Sequence, residues 1–249
     1  MPNFKIIIEY EGTNYYGWQR QKTKVTVQEV IEKSIAKTFG KKISLTGQGR
    51  IDAGAHALAQ TANFKIEKDF NVSNLKKALN SLLPFDIRIK DVQVSGDDFN
   101  ARYSAKLRHY KYILYNGEPS VWLRKLAYFY PYKLEIKKMK EGAGYLIGEH
   151  DFSSFQSSGS PVKNSVRTVE SVSITEKILN FPVEMPVIQF SIKANAFLYK
   201  MVRNIVGVLL EVGRGKVPPL QVNEILKHKD KRNAQTVPAY GLYLVGVEY

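Results

Sequence analysis

The chain has no cysteine. Thiolate nucleophiles, disulfides and cysteine-ligated zinc are therefore excluded, and with them enzymes that attack a pyrimidine ring through sulfur or deaminate a nucleobase on Cys-held zinc. Histidine is scarce: His56, His109, His150 and His228 are scattered and none has an i, i+4 partner, so no metal site is expected. No apolar run is long enough to span a bilayer, and the amino-terminal MPNFKIIIE runs into a charged strand pattern with no apolar signal core. That pattern reads as cytoplasmic. There is no P-loop and no Gly-x-Gly-x-x-Gly after a strand, so no nucleotide cofactor is expected. Acidic residues are outnumbered, 23 Asp and Glu against 37 Lys and Arg, which leaves a formal charge of +14 and a pI near 9.6. The excess is spread along the chain and suits a polyanionic partner, nucleic acid first of all.

What is present is ample for a buried core. The 249 residues, 44 % of them hydrophobic, suffice for one large domain or two small ones. Strand and helix signals alternate. Phe4 to Tyr10 reads as a strand, and Val27, Val30, Ile31 and Ile35 recur at helical spacing after Thr26, which with Glu29 forms a T-x-x-E capping box. Strands at Ile43 to Thr46 and around Ala62, Phe64 and Ile66 flank a glycine-rich loop. Ser73 opens a helix that Pro84 stops, and Ile87 to Val94 returns to strand. Beyond it, Leu107 to Tyr115, Val166 to Thr175, Val187 to Ala194 and Leu242 to Val247 read as strands. Ile136 to Ile147 and Leu198 to Val212 read as helices, with a short one after Pro218-Pro219. The expected fold class is α+β: two β-α-β-β-α-β-like halves, residues 1–105 and 106–249, with a mixed, mostly antiparallel central sheet, helices packed on it and a basic RNA-binding cleft. Residues 150–164, rich in Ser and Gly, read as a long loop. Phe152 and Phe155 with His150 and Lys163 make it either an RNA-facing lid or a loop pinned to the core by its phenylalanines.

The segment GQGRIDAGAH, residues 47–56, sets one carboxylate, Asp52, among glycines and two residues after Arg50. Arg50 is positioned by sequence to hold that carboxylate ionised, and the glycines let backbone approach a ligand closely. A plain surface turn has the same composition. An Asp nucleophile would also serve a glycosidase or a nuclease, and the charge alone would serve a non-catalytic RNA-binding module.

Four segments decide among these: YEGTNYYGWQR at 10–20, GRIDAGAH at 49–56, RHYKY at 108–112 and FLYKMVRNIVG at 197–207, joined by GEHDFSSF at 148–155 and GLYL at 241–244. In order and spacing they resemble the tRNA pseudouridine synthase A family along the whole chain. Ile51 stands where that family usually has Thr, and Ala55 where Val is common. The resemblance implies isomerisation of uridine to pseudouridine in the anticodon stem-loop of tRNA, at the uridines numbered 38, 39 and 40, by a cofactor-free homodimer. The chemistry needs a nucleophile or anionic stabiliser while uracil leaves C1′, turns and rejoins through C5, then loss of the C5 proton; it needs no redox partner. The resemblance carries the nucleophile to Asp52, the arginine that pairs with it to Arg203, and the tyrosine lying against the base to Tyr110. Arg50, His56 and Phe155 are the further expected RNA contacts. By pattern alone Tyr110 reads as a core strand residue, and Arg203 as a solvated residue on the face of its helix away from the buried stripe of Leu198, Met201, Val202, Ile205, Val206 and Leu209.

Overall fold

The computed structural model describes residues 1–67, 70–159, 164–180, 184–228 and 235–249. Among them the order is β1 (Asn3–Tyr10), α1 (Val27–Phe39), β2 (Thr46–Gly47), β3 (His56–Lys65), α2 (Val72–Leu82), β4 (Ile87–Ser95), β5 (Leu107–Tyr115), β6 (Tyr128–Phe129), α3 (Ile136–Gly144), β7 (Gly148–Asp151), β8 (Val166–Asn180), β9 (Glu184–Ala194), α4 (Met201–Gly213), α5 (Gln221–His228) and β10 (Leu242–Glu248). The class is α+β with mostly antiparallel strands. Two compact units form, one from Met1–Lys106 together with Tyr243–Tyr249, the other from Leu107–Leu242.

The first unit is built on β1. Its alternating residues Phe4, Ile6, Ile8 and Tyr10 are buried, and it pairs antiparallel with β3 on one side and β4 on the other. Residues 1–105 follow the expected β-α-β-β-α-β order. The closing strand β10, expected with the second half, lies parallel to β3, with Tyr243 opposite His56. Helix α1 begins as its capping box indicates: the Thr26 hydroxyl accepts from the Glu29 amide at 3.4 Å, while the Glu29 carboxylate turns to Lys33 at 2.8 Å. Helix α2 starts one cap earlier than expected. Asn71 accepts from the amides of Ser73 and Asn74, so Ser73 is already inside the helix. The strand expected over 43–46 is reduced to Thr46–Gly47.

In the second unit β5, β9, β8 and β7 run antiparallel in that order, and the short β6 pairs parallel to β5. Helix α4 was expected to be amphipathic, but nearly all of its circumference is buried. An all-round apolar helix is a core helix, which a one-sided stripe understates. The described residues of 150–164 are less loop-like than expected. Strand β7 takes their start, a 3₁₀ turn covers Ser153–Phe155, and Lys163 lies outside the described residues.

A buried amide pair joins the first unit's sheet to the segment after β4. Asn63 donates to Asn3 Oδ1 at 2.9 Å and accepts from the Ala101 amide at 2.9 Å, while Asn3 donates to the carbonyls of Gly96 and Phe99. Both side chains are buried. Asn63→Ala removes a donor and an acceptor and leaves the Ala101 amide and Asn3 Oδ1 dry, a loss of roughly 2–4 kcal/mol. Denaturant unfolding, read as a lower midpoint at unchanged slope, checks this.

Candidate active site

In the first unit Asp52 is half-buried on a tight turn, with the Ala55 amide donating back to the Asp52 carbonyl at 3.2 Å. The turn is gripped by the segment 11–18. Trp18 N–H donates to the Ile51 carbonyl at 3.2 Å, and Gly54 N–H donates to the Tyr15 carbonyl at 3.2 Å. Such proximity of two backbones leaves no room for side chains between them. A Cβ on Gly17, which also has φ +82°, would stand 2.5 Å from the Ile51 carbonyl oxygen, and one on Gly12 would collide with that of Ala55. The same segment caps α1, since the carbonyls of Gly17 and Trp18 accept from the amides of Val27 and Gln28. The Ile51 side chain is buried, and its carbonyl makes the hydrogen bond whatever the side chain is. The absent Thr hydroxyl therefore costs the turn none of these backbone bonds.

Two further anchors hold segment 11–18. The Tyr15 hydroxyl donates to Asp86 Oδ1 at 2.6 Å, and the Glu11 amide donates to the Asp86 carbonyl at 2.9 Å. Burial, then the Asp86 carboxylate, pushes the Tyr15 pKa far up, so it stays a phenol and a donor. His56 is 2 % exposed and stacks on Tyr243 at 4.7 Å between ring centres. Its Nδ1 accepts from the Gly12 amide at 3.0 Å. Glu11 Oε1 stands 3.7 Å from the same nitrogen, beyond hydrogen-bond reach, and accepts instead from the Thr13 amide and hydroxyl. With Nδ1 accepting, the imidazole proton of the neutral ring belongs on Nε2. Arg50, two residues before Asp52, is exposed.

In the second unit Tyr110 is 8 % exposed on β5 and meets Phe197 edge to face at 5.0 Å. Phe197 opens the segment that leads into α4. Arg203, in the first turn of α4, donates through Nε to the Val237 carbonyl at 2.7 Å, which fixes the plane of its guanidinium. Next to it Asn204 donates to the Phe155 carbonyl at 2.8 Å and accepts from the Thr236 hydroxyl at 2.5 Å. Phe155 and Phe152 are fully buried and in contact, with ring centres 6.0 Å apart, so their side chains pin this stretch to the core of the unit. Tyr112 is buried too, and its hydroxyl donates to the Pro238 carbonyl at 2.9 Å. Arg203 and Phe155 thus meet through Asn204, and Tyr110 joins the same strand-to-helix segment; Asp52 and His56 flank one turn.

Sequence reasoning missed Tyr15, Asp86 and Asn204 as holders of these groups. Tyr15 and Asn204 lie inside segments already singled out, whereas nothing near Asp86 marks it.

A family model described as tRNA pseudouridine synthase matches residues 6–104 and 143–249. The chain is 46 % identical over 251 residues to the tRNA pseudouridine synthase A of Acetivibrio thermocellus and 47 % identical over 251 residues to that of a Thermoanaerobacter species, covering all of both chains in each case. It is 41 % identical over 255 residues to that of Chlamydia abortus, covering all of this chain and 92 % of the other. A match over most of the sequence, with the Asp52 turn and the Arg203 helix inside the matched ranges, shows that the chain belongs to the tRNA pseudouridine synthase family.

Proposed function

We propose that the protein isomerises uridine to pseudouridine in the anticodon stem-loop of tRNA, at positions 38, 39 and 40, with Asp52 as nucleophile. The observation that carries this reading is the half-buried carboxylate on a turn clamped backbone to backbone, in a chain of this family. A nucleophile acting on C1′ must keep its position while the base detaches and turns, and a turn whose neighbours cannot give way supplies that. The N1–C1′ bond breaks, C5 bonds to C1′, and the C5 proton is lost while N1 gains one. Atoms and electrons balance within the substrate, so neither oxidant nor energy source enters.

The other roles follow the family resemblance. In this reading the first half of the chain, residues 1–105, contributes the nucleophile, and the second, 106–249, contributes Tyr110 and Arg203. Arg203 keeps Asp52 charged through a planar, two-pronged pairing. Tyr110 lies against the base and its phenol assists the C5 proton transfer. Exposed Arg50 suits a phosphate or the space a flipped base vacates. His56 and Phe155, both buried, serve RNA binding by holding segments in place, His56 through Gly12 and Phe155 through the 152–157 stretch. The charge of +14 supports a basic groove for the anticodon arm. The resemblance further implies a homodimer working in the cytoplasm. Among the described residues no helix is long and apolar enough to cross a membrane.

Asp52→Asn keeps the shape and removes the nucleophilic charge. Pseudouridine formation is expected to fall roughly 10⁴-fold or more with tRNA affinity within a few-fold of wild type. Single-turnover product by mass spectrometry, set beside filter binding, measures both, and substantial product would remove Asp52 from the role. Released uracil or a cut strand from the wild-type protein would point instead to a glycosidase or nuclease.

Arg203→Lys keeps a charge but loses the planar fork and the bond to the Val237 carbonyl. A rate loss of roughly 10²-fold is expected with the fold retained. A Lys variant near the wild-type rate would remove the pairing from the mechanism.

Tyr110→Phe keeps the ring and removes the hydroxyl. Affinity near wild type is expected, with an unchanged slope of log affinity against log salt and a rate roughly 10²-fold lower. An unaltered rate would deny the hydroxyl a chemical role, and a large drop in thermal midpoint would make Tyr110 a core residue.

A further inference from the structure

Phe85 is 96 % exposed, the most exposed large hydrophobic side chain among the described residues. It stands between Pro84 and Asp86 where the chain enters β4, and no requirement of the core places it there. Its neighbour does bear on the active turn. The Asp86 carbonyl holds Glu11, the Asp86 carboxylate holds the Tyr15 hydroxyl, and the Tyr15 carbonyl holds Gly54. In the sheet Tyr10 of β1 faces Ile87 of β4 on one side and Ala57 of β3 on the other. Ile87 and Ala57 therefore lie two strand spacings apart, roughly 10 Å, and the segments that carry Phe85 and Asp52 enter their strands at that same end of the sheet. Phe85 is thus set beside the segment that grips the Asp52 turn.

The ring carries a cation on one face. The Arg88 guanidinium lies 5.2 Å from its centre and is fixed there by Nη1 donating to the carbonyls of Pro84 and Ile87. A second exposed ring, in the segment that grips the turn, has the same construction: Tyr16, 49 % exposed, has Lys24 Nζ 4.4 Å from its centre and follows Tyr15 directly. The nearby carboxylates are engaged, Asp86 by Tyr15 and Glu11 by Thr13, whereas Arg50 is exposed. Exposed aromatic faces backed by cations suit unstacked nucleotides, whose bases stack on the rings while their phosphates meet the positive charge.

We propose that Phe85, backed by Arg88, is a stacking position for an RNA base flanking the reacting uridine, with Tyr16 backed by Lys24 as its counterpart in segment 11–18. The assignment rests on Asp52 being the reacting carboxylate. Such a ring sets which nucleotides beside the target are held out of their stack, and so bears on which uridines are used.

The test is binding of an unmodified tRNA transcript in the Asp52→Asn background, with Phe85→Ala, Phe85→Trp and Tyr16→Ala added singly. Phe85→Ala is expected to weaken binding about tenfold without moving the thermal midpoint, and Tyr16→Ala to weaken it similarly. Phe85→Trp is expected to restore affinity to within about threefold, and its indole fluorescence to be quenched when RNA is added. Affinity within twofold of the background for Phe85→Ala overturns the proposal. Unchanged affinity with conversion of an oligomer to monomer overturns it too and gives the ring to a second copy of the chain. If the background protein itself fails to bind tRNA, the proposed function falls first, and this inference with it.

Discussion

The contact on which the Asp52 turn depends is the approach of two backbones, segment 11–18 against residues 51–55, with no side chain between them. Two amide-to-carbonyl bonds cross the gap, Trp18 to Ile51 and Gly54 to Tyr15, and glycines at 12 and 17 make the approach sterically possible. Individually such bonds contribute on the order of 1 kcal/mol each. Their value lies in direction. A carboxylate on a free loop samples many positions, whereas one on a turn bonded to a second, anchored segment has few. The anchors Asp86, His56 and the first turn of α1 each come from a different element, so a displacement of the turn strains all three at once.

Much of the fold was legible because the periodicity was strong. The limits of β5 agree with the apolar run that announced it, and β1 and β10 differ by a residue at an end. The misses have physical causes. Ser73 and Asn71 are both good caps, and the choice between them turns on which side chain reaches two orphan amides, which spacing does not reveal. Helix α4 looked one-sided because Arg203 and Asn204 interrupt its apolar run, yet both are polar groups engaged with other chain segments. The return of β10 to pair with β3 is a long-range event, and the local sequence of a strand says nothing of its partner.

The candidate site was legible in a different sense. Residue types and their order pointed to the Asp52 turn and the α4 segment, but not to how either is held. Arg50 stands close to Asp52 in sequence, and that nearness does not reveal that its side chain is exposed. His56, Phe152 and Phe155 have polar or aromatic character that suits a binding surface, but burial decides their use, and burial is a property of the whole fold. The Asn3 and Asn63 pair gave no signal, because an amide that satisfies several buried groups looks in sequence like any surface asparagine.

These observations bear on how binding and chemistry divide in a strongly basic chain. Phosphate attraction is long-ranged, depends on total charge more than on placement, and is weakened uniformly by salt. It brings polyanions to the surface without choosing among them. Choice has to come from short-ranged, oriented contacts, and in the first unit these gather at one end of the sheet, where β1, β3 and β4 all begin or finish. Strand ends suit that purpose: the sheet supplies rigidity, while the loops leaving it are free to carry residues the core would not accept, such as an exposed phenylalanine. A carboxylate fixed by backbone and rings held by cations differ in what they tolerate. The first must not move by a fraction of an ångström, whereas a stacked base slides on its ring at little cost. On the proposed reading, a rigid centre with a forgiving rim would let one nucleophile serve more than one uridine in related surroundings, provided the rim accepts several neighbours and the centre only one geometry.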